Sequence, residues 1–204
     1  VPHGVIDSIT VNGEDRYGIM IGGPTKFFSS GGNGDIMFQS YRADITDMVT
    51  SGDNTLVLTN LDFDFPEEDA ADGAGVLVIY EDDSNYSEVI VRDGQDLAFY
   101  GFEEPLKSTI PQEFTFEPVD YERTAELILM AGSVACDGYR PNEAIINVGG
   151  NEIVVPDPLG GHDGCEWDTE SLDVVIPPGV SSMTVELVST NSDNPRGASM
   201  AWIC

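Results

Sequence analysis

The residues in this chain most able to do chemistry are its carboxylates: 37 Asp and Glu stand against eight Lys and Arg, with two His and three Cys. Converging carboxylates can hold a hard cation, because calcium takes six to eight oxygen ligands. Asp62, Asp64, Glu67, Glu68, Asp69 and Asp72 crowd one stretch, and Asp157, Asp163, Glu166 and Asp168 crowd another. Asp62, Asp64 and Asp72 are the calcium candidates. Neither stretch has EF-hand spacing, and a solvated acidic loop is the simpler account of both. Two carboxylates at a set separation also cleave glycosidic bonds, yet among 37 acids some pair always qualifies, so the count carries no such signal. His162 beside Asp163 is a conceivable metal ligand, although a single His in an acidic loop is more often solvated. No Gly-x-Ser-x-Gly elbow, His-Glu-x-x-His, Cys-x-x-Cys or P-loop occurs. The expectation is a chain without catalytic residues and with calcium as its one conceivable cofactor.

The cysteines point to covalent linkage instead. An odd number in a secreted chain leaves one thiol over. Cys136 and Cys165 lie in Gly/Asp-rich loops of the second half and are the expected disulfide. It would close a loop of roughly 30 residues, worth about 3 to 4 kcal/mol in the chain-entropy description. Cys204 ends a core-type strand, as a thiol for another chain or as a buried free one. Asn85-Tyr86-Ser87 is a glycosylation sequon in a polar loop and makes Asn85 a modification candidate.

A formal net charge of −29 excludes a phosphate backbone as partner. It calls for screening salt or bound cations in the native medium. An apolar fraction of 41% is enough for a core, which sets the chain apart from disordered acidic tails. The longest apolar stretch, near Ala125–Ala135, is too short to span a bilayer as a helix. The chain opens at Val1 without a charged leader, as a mature secreted product would. The expected home is extracellular, at the cell surface.

The elements that must position these groups read as strands. Gly73–Tyr80 and Gly197–Cys204 are two near-continuous apolar runs behind small residues, each fitting a buried core strand. Val5–Val11 alternates and closes on an Asn12-Gly13 turn. Gly22–Gly34 is Gly/Ser-rich and predicts a long loop. Further strands are expected at 35–43, 55–59, 88–92, 97–100, 113–117, 124–131, 172–176 and 183–188, with a hairpin about Gly149-Gly150. Asp44–Gly52 fits one helical turn or an irregular crossing, and Pro105–Pro111 a linker. No long segment has a 3.6-residue period, so the class is all-β. Ile9 and Val11 align with Ile146 and Val148, Asp44-Ile45 with Asp173-Val174, Leu56 and Leu58 with Val185 and Leu187, and Gly73 with Gly197. The expected architecture is two related antiparallel β-sandwiches of jelly-roll or immunoglobulin-like character, over 1–108 and 109–204.

One order recurs: an Asn-Gly turn, an aromatic near an Asp-Ile/Val-Thr crossing, a Leu-x-Leu strand, then Gly-Ala-Gly/Ser with an apolar run. With Trp167-Asp168 before Leu172-Asp173-Val174, it resembles a surface module of unassigned role common in methanogen, other archaeal and some bacterial cell-surface proteins. The first copy departs from that pattern, with Tyr41 where the second has Trp167. These are packing motifs, and the resemblance implies a role at the cell surface, in a sheath or surface array, with no chemistry attached. Each copy also lacks a strand that the other has, and an unpaired edge invites another chain. The expected function is an extracellular structural subunit whose partner is itself. The alternative is an adhesin or carbohydrate-binding module that binds surface glycans, with Trp167, Tyr139 and Tyr41 as possible stacking residues.

Overall fold

The computed structural model describes residues 7–30, 34–61, 70–81, 87–134, 140–161, 163–164, 166–190 and 199–204. It is all-β: every ladder is antiparallel, and the one helical element among the described residues is a 3-10 turn at Thr46–Met48. Among the described residues no helix is long and apolar enough to cross a membrane. The chain divides into two compact units, Val1–Gly73 and Ala74–Cys204.

In the first unit, β1 (Ser8–Val11) and β2 (Glu14–Tyr17) form a hairpin, and β5 (Leu58–Thr59) pairs with the other side of β1. The hairpin turns on Asn12 and Gly13 at φ 51° and 85°, the left-handed pair of a two-residue turn that suits Asn-Gly. Asn12 does more than turn. Its side chain accepts a bond from the Val57 N–H at 2.8 Å and donates one to the Thr55 carbonyl at 3.3 Å. The expected strand 55–59 is a ladder strand only at Leu58–Thr59, while Val57 and Thr55 bond Asn12, the Val57 carbonyl accepting the Asn12 backbone N–H at 2.9 Å. Asn12→Ala loses both the left-handed preference and these bonds, and should destabilise the first unit by about 2 kcal/mol in urea unfolding.

The expected loop 22–34 is largely strand. β3 (Ile19–Ser30) pairs with β4 (Gly34–Arg42) through three register shifts. Bulges let a Gly-rich segment stay in a ladder while bending it, which composition alone does not reveal. Arg16 on β2 bonds Glu14 at 3.1 Å and Asp47 in the 3-10 turn at 2.9 Å. Asp44 accepts the Thr46 N–H at 2.9 Å, and its hydrogen bonds to Thr46 hold its carboxyl below the usual range.

The second unit has β6 (Asp96–Phe99), β7 (Gln112–Thr115), β8 (Arg123–Gly132), β9 (Asn142–Val148), β10 (Asn151–Pro156), β11 (Trp167–Ile176), β12 (Ser182–Ser189) and β13 (Ser199–Trp202). First pairs with last, second with next to last, and so inward: β6 with β13, β7 with β12, β8 with β11, β9 with β10. This is a long hairpin wrapped into two four-stranded sheets, β10-β9-β12-β7 and β11-β8-β13-β6, the jelly-roll arrangement. One core joins them. Phe114, Ala144, Ile146, Val148, Met183, Val185 and Leu187 come from one sheet, and Ala98, Leu127, Leu129, Ala131, Val174, Ile176, Met200 and Trp202 from the other. The alternation along β12, with every second residue buried, is the period-2 pattern that the sequence carries.

Part of the inferred repeat is visible in the topology. The order β2-β1-β5 of the first unit matches β10-β9-β12 of the second. In both, a hairpin on two left-handed residues is followed by a strand that returns to the hairpin's first member. The match of Asp44-Ile45 to Asp173-Val174 does not extend to structure, since 43–45 is outside any strand and 173–174 lies within β11.

Three expectations are corrected. Gly73–Tyr80 is not a core strand: it joins no ladder, and Val76–Tyr80 are 41% to 76% exposed. An apolar run is only strand-prone, and a ladder also requires a free neighbouring edge. Residues 88–92 likewise form no strand. Pro105–Pro111 is stitched to β12: Thr109 N–H donates to the Leu187 carbonyl, Thr109 Oγ1 accepts from the Leu187 N–H, and Ser189 N–H donates to the Lys107 carbonyl. The compact division thus falls before β6, in the part that the sequence reading assigned to the first module.

Candidate functional site

The second acidic cluster runs from the end of β10 to the start of β11; Asp168 is buried, Glu166 half-buried, and Asp157 and Asp163 exposed. Asp168 is fully buried at the start of β11, where Oδ2 accepts the Gly161 N–H at 2.8 Å and Oδ1 the Asp163 N–H at 3.2 Å. Asp163 in turn accepts the Thr169 N–H at 3.1 Å. Glu166 pairs with Arg140 at 2.8 Å, and the same guanidinium nitrogen donates to the Ser133 carbonyl at 2.7 Å. Buried Asn142 completes the lock, donating to the Leu159 carbonyl at 2.8 Å and accepting its N–H at 3.2 Å. Leu159 is fully buried as a result. These carboxylates satisfy backbone donors and an arginine, and no group of three His, Cys, Asp or Glu able to hold a metal occurs among the described residues. The loop's geometry is that of a structural clamp.

Of the calcium candidates, Asp62 and Asp64 lie outside the described residues, and Asp72 is half-buried in the first unit. Cys136, Cys165, Asn85, His162 and Tyr139 also lie outside them. Cys204 is described and is a free thiol, half-buried. Its backbone continues the β13 ladder: the Met130 N–H donates to the Cys204 carbonyl at 2.6 Å, as does Trp202 Nε1 at 2.9 Å. Burial, and then Asp93, push its thiol above the ordinary range. The thiolate is the nucleophile. Alkylation of Cys204 at neutral pH, followed by peptide mass spectrometry, should therefore be slower in the folded chain than in urea. A raised folded-state value also means that the neutral thiol's contribution to stability is complete below the unfolded thiol's pKa. It is lost as pH rises through the folded one.

Of the aromatic candidates, Tyr41 lies in the first unit and Trp167 in the second. Trp167 is half-buried, its Nε1 donating to Thr169 Oγ1 at 3.3 Å. Tyr41 is half-buried on β4, its hydroxyl donating to Gln39 at 3.1 Å, and burial followed by Asp7 raises its pKa. Trp202 is core, as its position within an apolar run implies. The sequence reading passed over Tyr100. It lines an open depression of about 430 Å³ with Glu104, Lys107, Glu186, Ser189 and Thr190. Lys107 Nζ stands 5.6 Å from the Tyr100 ring centre and 3.6 Å from Glu104. The available signal was Tyr100-Gly101 at a strand end, followed by Glu103-Glu104 and Lys107.

The least expected feature lies at the strand edges. β13 and its continuation cover β8 only from Met130 to Gly132. Backbone groups alternate sides along a strand, so Thr124, Glu126 and Ile128 aim theirs the same way as Met130. No backbone partner for them occurs there among the described residues. Among the described residues, β8 is thus paired on that side over Met130–Gly132 alone. No protein-family model matches the chain, and a search of curated proteins finds no match to it.

Proposed function

We propose that the chain is an extracellular structural subunit of a cell-surface assembly (a sheath, surface layer or filament) that joins copies of itself through unpaired β-structure, without catalysis. The observation that carries this reading is the first unit's exposed apolar surface. Among its described side chains Val11 is the one buried apolar group, while Tyr17, Ile19, Met20, Met37 and Val57 are all exposed. A β-module whose described side chains bury so little gains burial from a neighbour. The charge supports the same reading, since a net −29 keeps subunits apart until salt screens it. Disulfides through Cys204 and calcium between acidic faces are further means of linkage.

The depression at Tyr100 favours a second reading, an adhesin or carbohydrate-binding module, because an exposed aromatic among carboxylates and hydroxyls suits a sugar face. Electron microscopy at high ionic strength together with a glycan array separates the two. The structural reading expects extended or closed assemblies and no glycan signal. Dispersed particles with a glycan signal lost on Tyr100→Ala would reverse the choice.

A further inference from the structure

Asparagine followed by glycine is the step at which a polypeptide modifies itself most readily, because a glycine has no side chain to keep its nitrogen from the asparagine's amide carbon. The chain has two such steps, Asn12-Gly13 and Asn33-Gly34, and the first lies wholly within the described residues. Asn12 and Gly13 are exposed at the tip of the β1–β2 hairpin. The Asn12 amide is nonetheless tied down. Its Oδ1 accepts the Val57 N–H at 2.8 Å and its Nδ2 donates to the Thr55 carbonyl at 3.3 Å. Held toward 55–57, the amide carbon meets the Gly13 nitrogen only after both side-chain bonds open. The tie is a light one: β5 is two residues long, with Leu58 and Thr59 opposite Val11 and Thr10. Reaction therefore proceeds from a locally opened form.

We infer that Asn12 is a site of spontaneous covalent modification, protected by its bonds to 55–57, and that its conversion unfastens that segment from the hairpin. The Gly13 nitrogen bonds to Asn12 Cγ, the Cγ–Nδ2 bond breaks, and the amide nitrogen leaves as ammonia with the proton from the Gly13 N–H. Water then opens the cyclic imide at either carbonyl, giving aspartate or isoaspartate. Both products lose the Nδ2 donor and add a carboxylate near Glu14 and Asp15. Isoaspartate also routes the main chain through the former side chain, which adds a methylene group to a two-residue turn. The φ pair of 51° and 85° that sets Val11 opposite Glu14 is then lost, and with it the placement of the groups that hold 55–57. The change runs one way, whether or not copies of the chain assemble.

Peptide mapping tests it. Cleavage after Arg16 releases residues 1–16, whose single asparagine is Asn12, so an amide-to-acid mass change in that peptide reports this residue alone. In mildly alkaline buffer the native chain should convert about 30-fold more slowly than the chain unfolded in guanidinium chloride, the factor for two ordinary hydrogen bonds that must open first. Val57→Pro removes the N–H that Asn12 Oδ1 accepts, at an exposed position outside every ladder, and should speed conversion of the native chain about 5-fold. Hydrogen exchange over 55–59 should be faster in the isoaspartate form, separated by ion exchange, than in the parent. Equal conversion in native and unfolded chains, or no change in Val57→Pro, would overturn the protection. Unchanged exchange over 55–59 in the isoaspartate form would overturn the unfastening. The comparison of native with unfolded parent needs no substitution, and it decides the matter if the proline variant does not fold.

Discussion

Leu187→Ala is expected to lower the unfolding free energy of the second unit by about 3 to 4 kcal/mol. Leu187 is fully buried on β12, where the residue directly across on β9 is Ala144. A cavity at Leu187 cannot be filled by a neighbour that is already a single methyl group, so the void stays open and its cost approaches the upper range for such truncations. The same residue anchors the 105–111 segment, because its N–H and carbonyl both bond Thr109. Those bonds are main-chain on Leu187's side and survive the substitution. Urea unfolding should therefore show a lower midpoint with an unchanged slope. Retention of the parent midpoint would mean that the two sheets do not share the core described.

Asp168→Ala should cost about 2 to 4 kcal/mol. Its two oxygens are the acceptors for the N–H groups of Gly161 and Asp163, and a buried donor left without a partner loses about 1 to 3 kcal/mol. Asp168→Asn keeps one acceptor oxygen and should lose about half as much. The loss should be local first. Proteolysis between Leu159 and Trp167 should accelerate in the alanine variant before the rest of the jelly roll opens. If the cluster were instead an open cation site, removing one of its carboxylates would relieve repulsion, and the stability would rise.

Much of the second unit was legible in the sequence because β9 and β12 alternate strictly. β12 reads as Met183, Val185 and Leu187 inside, with Thr184 and Glu186 outside, and the structure agrees. The Gly149-Gly150 hairpin was equally plain, since both residues take the left-handed conformation that glycine tolerates. Asp168 could have been read as well: it stands at the inward phase of β11, in step with Leu172, Val174 and Ile176, where a carboxylate must find donors. What alternation does not encode is partnership. Residues 96–99 and 76–80 look alike as strands, yet the first pairs with β13 and the second pairs with nothing among the described residues. The early part of 55–59 bonds one Asn in a turn more than forty positions earlier, and the β3–β4 ladder runs through three register shifts. Such outcomes are set by contacts distant in sequence, which a local pattern does not carry.

The measurement that bears most directly on self-assembly is sedimentation velocity of the intact chain over a wide range of protein concentration, at low salt and at about 1 M salt, where the Debye length is near 3 Å. The weight-average sedimentation coefficient should rise with concentration, and more steeply at high salt, as repulsion among subunits of net charge −29 is screened. A single monomeric boundary at every concentration in both salts would contradict the proposal that this protein builds with copies of itself.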